Sequence, residues 1–189
     1  ATLVQSVADE VARKPTQGNR TSLAYDRAMW LVETGSAGPA GWADVDETGI
    51  KAIYAFSAYD FARGVVAARS GDVPAAEAQA RRLRARTDAA RANAVGVVAS
   101  RYDSVTPEEL EQGQILASAL EGTILFAQGK RDDGLGRVRE AIARSDAMAF
   151  EYGPPYSVKP LDELLGDLLL TAGKPAEAAA SYQKALAVH

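Results

Sequence analysis

The chain has 189 residues, no cysteine, one histidine and a formal net charge of −4. The lack of cysteine excludes disulfides, thiolate catalysis and Cys-ligated zinc or iron–sulfur sites, and the mild acidity argues against a general binder of nucleic acid or of an anionic membrane surface. Apolar residues make up 47% and aromatics only 7%, enough to fill one core or one repeat array but too few rings for a base-stacking platform.

Leu3, Val4, Val7, Ala8 and Val11 fall on one helical stripe, which predicts a first helix over residues 2–14. Pro15, Gly18 and Asn19 are expected to break it, and a second helix is expected over 21–34. GSAGPAG, residues 35–41, reads as a loop, because clustered Gly and Pro cannot hold a helix. A third helix is expected from Asp46 or Thr48 to about Ser70. A fourth follows Asp72, accepts Pro74 in its first turn and runs toward Ser100.

Thr106-Pro107-Glu108-Glu109 is a helix start, with Thr106 as cap, Pro107 in the first turn and Glu109 completing a capping box. That helix runs to Gln128, and another covers 132–144. FEYGPPYSVKP, residues 150–160, reads as an aromatic and proline-rich loop, followed by helices over 161–172 and from Pro175 to the end. No stretch alternates with period two, so the expected fold class is all-α, with about eight helices. No apolar run approaches the ~20 residues that span a bilayer, so no membrane insertion is expected, and no signal peptide is visible. A chain beginning at Ala1 fits a processed or trimmed protein. A cytoplasmic location is expected, or a periplasmic one if a signal peptide has been removed ahead of Ala1.

Three times two glycines stand seven residues apart in the same setting: Gly64 and Gly71, Gly122 and Gly129, Gly166 and Gly173. The first of each pair lies in an apolar run; the second ends that run and precedes a new helical stretch. A helix-turn-helix unit written three times points to a stacked helical repeat. The last unit, LLGDLLLTAGKPAEAAASYQKAL, resembles a tetratricopeptide repeat. Leu165, Gly166 and Leu169 fill the large, small and bulky places of its first helix, and Ala178, Tyr182 and Ala185 those of its second. Small residues there let paired helices approach while bulky ones fill the gaps. The middle unit fits less fully, with Gly122, Leu125, Gly134, Val138 and Ala141, and the first less again, with Gly64, Ala67, Ala76, Ala80 and Leu83. Equivalent glycines are 58 and then 44 residues apart, against ~34 per repeat in the family. The stretch AFEYGPP...VKPLDELLGDLLL also looks like the C-terminal part of bacterial tetratricopeptide proteins of unassigned role.

The resemblance implies a right-handed superhelix of antiparallel helix pairs. Its units would be a divergent repeat or cap (1–45), a repeat-like unit with long helices (46–104), a second unit (106–147), the aromatic loop (148–160) and the best-matching unit (161–189). It also implies a concave groove lined by the first helix of each unit. That groove takes Phe61, Val65 and Arg69, then Ala119, Thr123 and Phe126, then Glu163, Asp167 and Leu170. An apolar or basic segment of a protein partner fits such a lining.

Other features carry less. His189 is terminal and unsuited to a triad. DVDETG, residues 44–49, begins like a calcium loop, but its twelfth position is Ala55 rather than a bidentate Glu. Gly35, Gly38 and Gly41 lack the Lys-Ser/Thr of a phosphate loop. Arg81, Arg84 and Arg91 belong to the one basic block, a solvated face or a dock for an acidic peptide or phosphate. Phe150, Tyr152 and Tyr156 suit packing on adjacent helices or a lid over a groove. The expected function is a non-catalytic scaffold for a protein or peptide partner, with no cofactor and no metal. The alternatives are a small-molecule or lipid binder lidded by 150–160, and a self-assembly module dimerising through its end helices.

Overall fold

Gly71, Gly129 and Gly173 take φ values of 82°, 85° and 77° in the computed structural model, the left-handed region that a Cβ disfavours. Around each glycine the same hydrogen bond closes the preceding helix. Asp72 N–H donates to the Ala67 carbonyl at 2.9 Å, Lys130 to Leu125 at 3.0 Å and Lys174 to Leu169 at 2.9 Å. This is the Schellman arrangement, which satisfies terminal carbonyls and turns the chain back. Three helical hairpins follow from three copies of one turn.

The structure describes residues 2–36, 44–94, 105–148 and 158–188. Among them it is all-helical and has no strand. The elements are α1 Thr2–Arg13, α2 Gln17–Thr34, α3 Ile53–Arg69, α4 Val73–Ala94, α5 Pro107–Ala127, α6 Arg131–Asp146, α7 Leu161–Thr171 and α8 Pro175–Val188. Each helix packs on its neighbour in sequence; α5 also packs on α3 and α7.

The helix starts follow their caps. Thr106 Oγ1 accepts from Glu109 N–H at 3.1 Å and the Glu109 carboxylate accepts from Thr106 N–H at 3.1 Å, so the expected capping box is present. Two expected starts are displaced. Thr16 caps α2 by accepting from Asn19 N–H, so Gly18 and Asn19 stand in its first turn rather than in a break. Asp46 Oδ1 accepts from Thr48 N–H and Ile50 N–H reaches the Glu47 carbonyl. These bonds make a turn at Gly49 (φ 79°) and postpone α3 to Ile53.

The helix-pair glycines part company in three dimensions. A Cβ on Gly122 would lie 2.8 Å from the Gly134 carbonyl oxygen, and one on Gly166 would lie 2.6 Å from the Tyr182 ring. Both therefore serve close approach within a hairpin. A Cβ on Gly64 would instead meet Leu120 at 2.5 Å. Gly64 thus serves the contact between α3 and α5, two helices of successive hairpins.

Candidate functional site

Most of the groove expected on α3 and α5 is closed. Phe61, Val65 and Ala119 have no exposed surface, and Thr123 and Phe126 are buried too. Leu120 fits over Gly64, α3 and α5 pack directly, and Thr123 turns its hydroxyl back to the Ala119 carbonyl at 3.0 Å. These five are core residues, which corrects their expected place on a concave lining. The acids of the last unit are not free either. Lys159 pairs with Glu163 and, at 3.2 Å, with Asp167; Arg69 also pairs with Asp167. Tyr182 OH donates to Asp167 Oδ1 at 2.7 Å. Burial, and then that bond to a carboxylate, pushes the Tyr182 phenol up to about 12. Leu170 alone of the nine is an exposed apolar group. Phe150, Tyr152 and Tyr156 lie outside the described residues.

Openings lie instead between even-numbered helices. The α4 and α6 backbones do not approach each other, so α5 forms a floor between them. The cleft, about 240 Å³, is walled by Arg84 and Asp88 on one side and Arg137 and Arg144 on the other. Gly113 lets α5 sit close to α4: a Cβ there would lie 3.0 Å from Thr87 Oγ1. Arg84 pairs with Glu121, which Arg137 also reaches at 3.2 Å. Arg144 pairs with Glu111 at 2.7 Å. The Gln114 amide, turned so that its oxygen faces the donor, accepts from Arg91 at 3.1 Å. On the floor, Ser118 is buried with its hydroxyl unpartnered. The basic block therefore divides. Arg84 and Arg91 meet two α6 arginines that sequence spacing does not connect to them, whereas Arg81 pairs with Glu77 on its own helix, at 3.7 Å.

A second cleft, about 360 Å³, repeats the plan one hairpin earlier, with α3 as floor between α2 and α4. It mixes Leu31, Val66, Ala67 and Ala75 with Arg27, Arg63, Asp44, Tyr59 and Gln79. Burial holds the Tyr59 phenol above its ordinary value and pulls the Arg27 guanidinium down. Behind its floor lies a charge cluster. Asp60, on α3, has no exposed surface, with Arg82 at 3.3 Å and Arg86 at 3.2 Å, and both arginines also pair with Glu47. Arg86 lies 4.3 Å over the Phe56 ring. Burial outweighs the two cations and raises the Asp60 carboxyl to about 6.

Among the described residues no group of three or more His, Asp or Glu is placed to hold a metal ion, and no helix is long and apolar enough to cross a membrane. No family model, curated protein or solved structure matches the chain.

Proposed function

We propose that the chain is a non-catalytic binding scaffold of the tetratricopeptide kind, a right-handed superhelix of helix pairs. In this reading it takes an acidic segment of a protein partner in the cleft between α4 and α6. One observation carries it: Arg84, Arg137 and Arg144 converge on a cleft whose floor is α5, with Arg91 beside it on Gln114. Guanidiniums recognise carboxylates bidentately. The Arg144–Glu111 pair is half-exposed on both sides and contributes ~0–1 kcal/mol, so an incoming carboxylate exchanges with it at small cost. The cleft is open and smaller than the ~300–1,000 Å³ of a small-molecule pocket, which suits side chains of an extended segment.

Fluorescence anisotropy with a labelled Glu-rich peptide and its Gln counterpart tests the proposal. Binding of the Glu peptide alone is expected. It should weaken as salt is added and fall about tenfold or more in Arg137→Glu/Arg144→Glu. Equal binding of both peptides, or an unchanged affinity in the variant, rejects the reading.

A further inference from the structure

The cleft between α2 and α4 differs in kind from the one just described, and its chemistry points to a different ligand. Most arginines of the described chain close an ion pair with a carboxylate, as do Arg20, Arg69, Arg82, Arg84, Arg86, Arg137, Arg139 and Arg144. Arg63 does not. It lines the cleft with its guanidinium 5.5 Å over the Tyr59 ring. Asp44, also in the lining, closes no salt bridge with a described residue either and reaches Arg27 and Tyr59 only as a through-space charge. Gln79 Oε1 is buried in the wall without a donor. A cation without its anion, an anion without its cation and an acceptor without its donor therefore face one cleft. Between them Leu31, Val66 and Ala75 supply apolar wall. Arg27, on α2 and only 6% exposed, feels the Asp44 charge.

We propose that this cleft binds a small zwitterion with an aliphatic body, a free amino acid or dipeptide. Its carboxylate lies on Arg63, its ammonium is held by Asp44 and Gln79 Oε1, and its side chain lies against Leu31 and Val66. Such a ligand satisfies every open group at once, whereas a simple anion leaves Asp44 repelling it and a simple cation leaves Arg63 bare. The volume of about 360 Å³ falls within the range of small-ligand pockets. The site shares no lining residue with the α4–α6 cleft, so each stands or falls alone.

The test is isothermal calorimetry of the full chain with leucine and leucyl-alanine at millimolar concentration, alongside the N-acetylated and C-amidated forms of each. Saturable binding of at least one zwitterion is expected, with a loss of about tenfold or more when either end is blocked, the size of one charge-assisted bond. Arg63→Ala and Asp44→Ala, both at the cleft rim, should each abolish binding while leaving the melting temperature within a few degrees of wild type. Arg63→Lys should retain part of it. Absence of heat with every zwitterion overturns the proposal, as does affinity indifferent to end-blocking or to both substitutions. Binding of the amidated form alone would assign the cleft to a cation and reject it equally.

Discussion

The first and second hairpins are built on the same turn but held by different forces. Between α5 and α6 the backbones themselves touch: Gly122 and Gly134 each stand where the other's chain leaves no room for a Cβ. Between α3 and α4, beside the buried Ala76, Ala80 and Leu83, charge enters the crossing, with Arg82 and Arg86 of one helix on the buried Asp60 of the other. Close-packed backbone is insensitive to solvent conditions and intolerant of one carbon. A buried charge cluster is tolerant of shape and sensitive to protons. The same repeat pattern thus yields one joint set by sterics and one set by electrostatics.

The sharpest way to break the comparison is a single methyl group. Gly122→Ala should cost about 3 kcal/mol, at the upper end of overpacking, because the obstacle is the Gly134 carbonyl and cannot rotate away. Thermal melts should show a fall of roughly 6–12 °C, and a wild-type Tm would mean that the two helices do not approach as described. The next effect is read by pH. A carboxyl raised to about 6 is favoured in the fold when protonated. Its contribution is therefore fullest below about pH 4 and is lost as the pH rises through about 6. Asp60→Asn keeps the neutral form at every pH. Its stability relative to wild type should improve by about 2–3 kcal/mol between about pH 4 and pH 7 in urea melts. A difference constant across that range would place Asp60 in a solvated setting.

Gly166→Ala should cost about 1–2 kcal/mol, since the obstacle is the edge of the Tyr182 ring on an end hairpin. Gly64→Ala should change stability least, by about 1 kcal/mol or less. It meets the δ-carbons of Leu120, the movable end of a side chain, and the gain in helix propensity offsets part of the clash. A loss at Gly64 as large as that at Gly122 would erase the distinction between the two hairpins.

What was legible in the sequence was local. The left-handed glycines at 71, 129 and 173 and the Thr106–Glu109 capping box announce themselves within a few residues. The displaced start of α3 was not legible, because the acids of 44–49 suit a helix N-terminus and a turn equally well. The clefts were hidden for a different reason. Arg84 and Arg137 are far apart in the chain, and nothing in their spacing says that Glu121 will sit between them. The burial of the α3 and α5 groove residues was hidden because a family resemblance gives a face to each first helix but not its neighbours. Leu120 over Gly64 brings α3 against α5 and buries the five groove residues expected on those two helices.

α5 packs on α3, α4, α6 and α7, while α1 touches α2 alone. Contacts so arranged make a chain of neighbours rather than one indivisible block, and opening then costs least at the ends. Amide protons in the middle of α5 should exchange with deuterated solvent only when the whole array comes apart. Those of α1 and α8 should exchange by brief local detachments, so that protection rises and falls along the chain like the sag of a cable fixed at its centre.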